Sequence, residues 1–169
     1  MTDADGDLLV GPDAETALDP VTRLLDRQAL LDLVHDYCRH VDDNDPAAAA
    51  ALFTEDAVFI TSRGARGTVH GRAQVQDRLA LLLSTFVATS HHASGTRVRF
   101  LDDDSAVGVT YLLAWHRFAE DRPDGILWAQ YHDRWARTPD GWRIAERTLR
   151  VTGEQSFPFG WQPPLPARR

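Results

Sequence analysis

The second half of the chain contains four long segments in which apolar and polar residues alternate, and this pattern restricts the fold most. Alternation with a period of two is typical of β-strands that bury one face. The four segments are 92–101, 106–118, 125–136 and 142–151. Short runs rich in aspartate, proline or glycine separate them, and such runs favour tight reversals. The pattern therefore predicts an antiparallel meander of four strands.

The first half of the chain predicts mainly helices. Residues 22–41 place apolar side chains at spacings of three, four and seven, which indicates a helix with one buried stripe. That predicted stripe consists of Leu24, Leu31, Val34, Cys38 and Val41. Asp45 and Pro46 are typical of a helix start and begin a short second helix, residues 57–60 form a short strand, and residues 71–85 form a third helix. Helices gathered before a meander predict the α+β class.

The length and composition indicate one ordered domain with two flanking segments. The 169 residues suffice for a single domain with a core of its own. Residues 1–20 are rich in aspartate, glycine and proline, so we expect a flexible leader. The domain then occupies residues 21–152. Residues 153–169 combine prolines with Phe157, Phe159 and Trp161, and we expect them to form an extended arm.

Several classes of function are disfavoured by composition. The net charge is −7 and the basic residues are scattered, so the usual footprint of a nucleic-acid-binding protein is missing. A single cysteine, Cys38, allows no internal disulfide and no cysteine-based metal site. We expect neither a metal nor a cofactor, because the histidines lack compact ligand spacing. With no long apolar run and no signal-peptide pattern at the N-terminus, we expect a cytoplasmic protein that does not enter a membrane.

Polar residues that interrupt apolar patterns are the candidates for a site. Arg147 stands between apolar neighbours on one face of the last strand, and an unpaired buried charge is costly. His116 interrupts an apolar row on the second long strand, and His91 opens the first. Tyr37 and Asp42 lie near the end of the first helix. These side chains could converge on one cavity.

Structural explanations remain open for the same residues. His116 is explained equally well as a hydrogen-bonded core histidine. Asp42 could simply mark the end of a helix, since Asp43, Asn44 and Asp45 follow it. Arg147 could belong to an ion pair with a purely structural role.

Longer stretches of the chain resemble the SnoaL-like branch of the nuclear transport factor two-like superfamily. The resemblance covers about residues 22–152. It rests on the following stretches: Tyr37-Cys38-Arg39-His40-Val41-Asp42, Leu52-Phe53-Thr54-Glu55-Asp56-Ala57-Val58-Phe59, the helix after Gly71, Ser90-His91, and Asp140-Gly141-Trp142-Arg143-Ile144. The resemblance implies a cone-shaped α+β barrel, in which a strongly curved mixed sheet wraps around a pocket and helices cap it.

Within that branch the chain is similar to the scytalone dehydratases, bile-acid dehydratases and hexachlorocyclohexane dehydrochlorinases. The resemblance implies a catalytic dyad of Asp42 and His91, with Tyr37 at the position of a tyrosine of the bile-acid dehydratases. It also places Arg147 at the pocket, and His116 matches a second histidine of scytalone dehydratase. This chain lacks the additional tyrosines of scytalone dehydratase, which argues against scytalone itself as the substrate.

The expected function is therefore a cofactor-independent lyase, most simply a dehydratase, acting on a hydrophobic alicyclic or polycyclic small molecule. Aromatic residues suit a pocket for such a ligand, and those expected to line it are Phe59, Trp115, Trp128 and Tyr131. A polyketide or terpenoid cyclase or isomerase could use the same dyad, and a non-catalytic binding protein could keep the pocket alone. Large aromatics on the outer face of the sheet, Trp128 or Trp135 by parity, predict self-association, and the resemblance implies that the oligomer is a homodimer or homotrimer.

Overall fold

The first two helices begin at aspartate–proline pairs. In the computed structural model of the chain, helix α1 spans Pro20–Asp42 and helix α2 spans Pro46–Ala51. The carboxylates of Asp19 and Asp45 accept hydrogen bonds from backbone N–H groups in the first turn of each helix. Proline suits the first helical position because it has no N–H to lose and its φ angle is already helical. The helix start predicted at Asp45 is confirmed, and α1 begins two residues before the predicted start.

The structure describes residues 11–15, 18–61 and 67–157, and this part of the chain holds three helices and six strands. The remaining elements in chain order are β1 Phe53–Ile60, β2 Thr68–His70, α3 Arg72–Leu83, β3 Phe86–Phe100, β4 Ser105–Phe118, β5 Gly125–Thr138 and β6 Gly141–Gln155. The helices precede the four long strands. The predicted α+β class is therefore confirmed.

All six strands form one mixed sheet in the order β2-β1-β6-β5-β4-β3. Strands β3 to β6 pair with their chain neighbours in antiparallel register, which confirms the predicted meander. Strand β1 lies parallel to β6, and β2 pairs with β1 in antiparallel register at the sheet edge. The sequence did not predict β2, because three residues are too few to show an alternating pattern.

Strand β3 begins at Phe86, six residues before its predicted start, so the two histidines lie within the strand and not at its mouth. The polar run around them hides the alternation that would have revealed the strand. His91 lies directly opposite Ala114 of β4. Because β3 is the outermost strand, one side of its backbone has no neighbouring strand and needs other hydrogen-bond partners.

Strand β6 changes its buried face at a β-bulge. Trp142 and Ile144 are buried, and so are Arg147 and Val151. The pairing with β5 shifts register between Ile144 and Glu146. One extra residue in a strand moves every following side chain to the opposite face. The predicted uniform alternation along this strand is therefore wrong, and Arg147 shares the core face with Ile144.

Helix α1 packs on β3 and β6 through a face that differs from the predicted stripe. Leu24 is 66% exposed, so the predicted stripe is wrong at its first residue. The buried side chains of the helix are Asp26, Leu30, Leu33, Val34, Tyr37, Cys38 and Val41. The second half of α1 thus supplies the apolar contact with the sheet, and Tyr37 belongs to this face.

The outer face of the sheet exposes a patch of large apolar side chains. Leu113 and Trp128 lie directly opposite each other on β4 and β5, with exposures of 42% and 45%, and Tyr111 is 59% exposed. Trp135, by contrast, is buried at 1%, so Trp128 is the outward tryptophan. The expected homodimer or homotrimer stays a prediction, and a monomer in light scattering would contradict it.

The two flanking segments lie largely outside the described residues. This applies to residues 1–10 and 16–17 of the expected leader and to residues 158–169 of the expected arm, including Phe159 and Trp161. Residues 153–155, the first three residues of the expected arm, belong to strand β6. Among the helices that the structure describes, none combines the length and the apolar character needed to cross a bilayer.

Candidate active site

A short hydrogen bond joins the end of α1 to the middle of β3. Nδ1 of His91 lies 2.6 Å from Oδ1 of Asp42. The side chain of His91 is 8% exposed and that of Asp42 is 27% exposed. Because the carboxylate oxygen accepts, Nδ1 carries the proton and Nε2 of a neutral ring keeps a free lone pair. This arrangement can take a proton from a molecule held beside Nε2.

Asp42 is itself held in place by β3. Its Oδ2 accepts the backbone N–H of His91 at 2.8 Å, and its Oδ1 accepts the hydroxyl of Thr89 at 2.8 Å. The backbone bond satisfies one N–H group on the free edge of β3. Burial alone would raise the pKa of Asp42, but the hydrogen bonds from His91 and Thr89 hold it below the ordinary value. Asp42 therefore stays ionised and stabilises a positive charge on His91.

His116 lies next to His91 in an aromatic surrounding. The two imidazole rings have centroids 5.2 Å apart, and the rings of Phe86 and Phe157 lie 4.6 Å and 5.0 Å from His116. Burial, and next the proximity of His91, lower the pKa of His116 to about 3. A neutral His116 does not oppose protonation of His91, which a second positive charge at this distance would do.

The state of His116 predicts a pH dependence of stability. Its pKa is about 3 when folded and near 6.5 when unfolded, so between these values the unfolded chain binds one proton more. Stability is therefore lost as the pH falls below about 6.5, by up to about 1 kcal/mol per pH unit from this group. His116→Phe, which suits the aromatic surrounding, should flatten that slope in urea unfolding. The exposed His92 is the control, and an equal slope in His92→Phe and His116→Phe would contradict the assignment.

A second charged group lies deeper in the core. Arg147 donates from Nε and Nη2 to the two carboxylate oxygens of Asp133, at 2.8 Å and 2.7 Å. Both side chains have 0% exposure. The guanidinium carbon lies 4.2 Å from the ring centroids of both Tyr37 and Tyr131, whose planes are nearly perpendicular. Arg147 thus sits in the corner between two tyrosine rings and forms a buried, fork-shaped ion pair.

The two groups lie on the same face of the sheet but in different rows. His91 faces Ala114, which faces Leu127 on β5. Asp133, beside Arg147, lies six positions further along β5 than Leu127. Arg147 therefore does not take part in the hydrogen bonds of the Asp42–His91 pair.

Cys38 lies within electrostatic reach of both groups. Burial raises the pKa of this thiol to about 11, Arg147 lowers it, and the charges of Asp42 and Asp133 raise it further. Cys38 is one helical turn before Asp42 on α1, and it remains a neutral thiol.

With this geometry established, comparison with known proteins decides the family. A family model described as a SnoaL-like domain matches residues 22–148, which is most of the chain. This chain belongs to the SnoaL-like family. The predicted resemblance to the nuclear transport factor two-like superfamily is thereby confirmed.

Sequence relatives of this SnoaL-like protein include an uncharacterised protein of Mycobacterium tuberculosis. It is 33% identical over 131 residues, which cover 75% of this chain and 86% of the relative. A protein of Mycobacterium bovis matches with the same values. These relatives support the family and assign no activity.

Solved structures of similar fold include two of interest. A Novosphingobium aromaticivorans protein provisionally assigned as a scytalone dehydratase has a TM-score of 0.81 and 31% identity, covering 89% of this chain and 99% of that chain. A hexachlorocyclohexane dehydrochlorinase of Novosphingobium barchaimii has a TM-score of 0.74 and 20% identity. The match covers 87% of this chain and 100% of that chain. At that identity the second likeness shows the fold alone. The family and the first of these neighbours support small-molecule binding or chemistry of the lyase or isomerase type.

The four aromatic residues expected to line the pocket of this SnoaL-like domain fall into two groups. Phe59 and Tyr131 are buried on the core side at 3% exposure each. Trp115 and Trp128 lie on the outer face of the sheet, and Trp115 donates from its indole to Asp124. Parity explains the correction, because the core-facing residues of β4 have even numbers in this stretch and those of β5 have odd numbers. Neither tryptophan lines the interior.

Two residues of the site were not predicted. Thr89 gives Asp42 a second donor, and nothing in its local sequence distinguishes it. Asp133 holds Arg147, and a signal for it did exist: Asp133 shares its face of β5 with Tyr131 and Trp135. The reasoning applied to Arg147, that a charge on an apolar face needs a partner, would have selected Asp133 as well.

Within the described ranges no three histidine, cysteine, aspartate or glutamate side chains come together as metal ligands would. Adjacent strand residues such as His91 and His92 point to opposite faces of the sheet. His92 is exposed and contacts the hydroxyl of Ser90. Only one member of the histidine pair thus faces the interior.

Proposed function

We propose that the protein is a cofactor-independent lyase, most simply a dehydratase, that acts on an apolar ring compound. The observation that carries the proposal is the 2.6 Å contact between His91 Nδ1 and Asp42 Oδ1, which leaves Nε2 free on a ring with little exposure. A base of this type, positioned and with its tautomer set, suits the removal of a proton from carbon.

The proposed elimination moves one proton from carbon to His91 and a second proton from Tyr37 to the leaving group. His91 Nε2 takes a proton from a carbon next to a carbonyl, the freed electron pair forms a carbon–carbon double bond, and the adjacent carbon–oxygen bond breaks. The leaving hydroxide receives a proton from Tyr37 and departs as water, with His116 as its proposed hydrogen-bond partner. Asp42 stabilises the imidazolium of His91 until the proton returns to Tyr37 through solvent.

Tyr37 suits the role of proton donor. Burial raises its pKa well above the ordinary value, and the charge of Arg147 offsets only part of that rise. The phenol therefore holds a proton at physiological pH, and Arg147 limits the loss of acidity that burial causes. The helix that carries Asp42 also carries Tyr37, so the carboxylate that orients the base and the proposed donor share one rigid support.

Small side chains support an apolar ligand between the two charged groups. Ala93, Ala114 and Ala129 occupy neighbouring positions on the core face of β3, β4 and β5. The alanines leave the sheet surface low around Leu112, which lies opposite both Ala93 and Ala129, and Val151 continues this row with another apolar group. An alicyclic or polycyclic compound fits such a surface better than a charged one.

A mass measurement tests the reaction type. The purified protein is incubated with ring compounds carrying a hydroxyl or chlorine one carbon away from an acidic C–H, including scytalone and hexachlorocyclohexane. We expect at least one product that lacks the mass of water or of hydrogen chloride. A product of unchanged mass would replace the proposal with an isomerase or cyclase. Ligands bound and returned unaltered throughout would leave only a binding protein.

A further inference from the structure

The environment of Arg147 is closed on every side. Asp133 occupies Nε and Nη2, and the rings of Tyr37 and Tyr131 approach the guanidinium carbon to 4.2 Å. The remaining nitrogen, Nη1, has no hydrogen-bond partner among the described residues, and the electron-rich ring faces take that place. With 0% exposure, the side chain borders no space that would admit even a water molecule.

We propose that Asp133 and Arg147 are positioning residues that act on a ligand through Tyr37 and Tyr131, without touching it themselves. The inference rests on the proposed function for the role of Tyr37, and it extends that function to a second phenol and to the ion pair behind both. It differs from the expectation that Arg147 itself meets the substrate.

The Asp133–Arg147 ion pair contacts the interior through the rings of the two tyrosines. Each keeps 3% exposure, and their rings meet edge to face with centroids 5.7 Å apart. Tyr37 comes from α1 and Tyr131 from β5, so the arginine between them joins helix to sheet. A shift of the guanidinium would alter the surroundings of both rings at once, because it contacts both of them.

The electrostatic effect of the pair on the phenols has a defined sign. Burial raises the pKa of both tyrosines, Arg147 lowers it, and Asp133 raises it. For Arg147 itself, burial alone would lower the pKa, but Asp133 raises it above the ordinary value. Arg147 therefore stays charged. The carboxylate of Asp133 limits how strongly Arg147 favours negative charge on the two phenols. Cys38, the other titratable group beside them, raises the pKa of both phenols once its thiol ionises.

Fluorine NMR tests this coupling without a substrate. The chain has three tyrosines, and all are replaced with 3,5-difluorotyrosine, whose phenol ionises at lower pH than that of tyrosine. Each of the three signals is assigned by a Tyr→Phe variant and followed through a pH titration. Tyr111, which is 59% exposed on the outer face, is the internal control.

Two variants shift the titration in opposite directions. Asp133→Asn leaves the arginine charge unbalanced, so the pKa of both buried phenols should fall by about one unit or more. Replacing the pair together, as Arg147→Met with Asp133→Leu, should raise both. The signal of Tyr111 should not move in either. Unchanged titration of Tyr37 and Tyr131 in whichever variant folds would overturn the proposal.

The result is separable from the proposed function. A protein that eliminates nothing but shows both shifts retains the coupling and loses the lyase assignment. A protein that eliminates water but shows no shift keeps the lyase assignment, and Arg147 then has a structural role only.

Discussion

His91→Ala is expected to lower the rate of proton removal from carbon by about 10²–10⁴-fold while the domain stays folded. The reason is that Nε2 of His91 is the free nitrogen of the pair with Asp42, so its loss removes the proposed base and nothing else of the catalytic chemistry. The measurement follows deuterium exchange next to the carbonyl of 1-tetralone by NMR. This probe needs a base and an oxygen donor, and no leaving group.

Two further variants sharpen the test. Asp42→Asn should lose activity to a similar extent, because an amide no longer holds the required tautomer or stabilises the imidazolium. His92→Ala is the matched control, since this neighbouring histidine is exposed and contacts only Ser90 among the hydrogen bonds described. Exchange that survives in His91→Ala, or falls equally in His92→Ala, would remove the base from the mechanism.

Arg147→Met should destabilise the domain by about 3–5 kcal/mol. The substitution leaves the carboxylate of Asp133 buried at 0% exposure without its charged partner. Both cation–π contacts with Tyr37 and Tyr131 are lost at the same time. Urea unfolding followed by tryptophan fluorescence measures the change in the free energy of unfolding.

The double variant separates pairing from packing. Arg147→Met combined with Asp133→Leu replaces the two charges by apolar groups, and such replacement of a buried pair is often neutral or stabilising. We therefore expect the double variant to be clearly more stable than Arg147→Met alone. If both unfold at the same urea concentration, the buried carboxylate is not the source of the loss, and packing around the tyrosines is.

Charged residues on buried faces show how much of the site can be predicted from the sequence. Arg147 was selected because it interrupts an apolar row, and the structure finds it fully buried. Asp133 satisfies the same criterion on β5, yet its role emerged only when the register placed it opposite Arg147. Which residues form an ion pair depends on which residues of the two strands lie opposite each other. That register follows from turns and bulges, which a single strand does not encode.

The aromatic residues show where a prediction from residue type was wrong. Trp115 and Trp128 suit an apolar pocket by residue type, but both lie on the outer face of the sheet. Parity along β4 already separates Trp115 from Leu112, Ala114 and His116. Residue type alone therefore misled where the period of two was informative.

The sequence by itself determined the α+β class, the start of the second helix, the antiparallel meander and the residue types available for acid–base chemistry. These depend on local periodicity and on backbone preferences that neighbouring residues impose. Tertiary structure decided which of them meet: Asp42 with His91 across 49 positions of chain, and Arg147 with Asp133 and two tyrosines. It also decided the bulge that turns Arg147 into the core. The reason is that long-range contacts depend on register, bulges and helix placement, which only the packed chain sets.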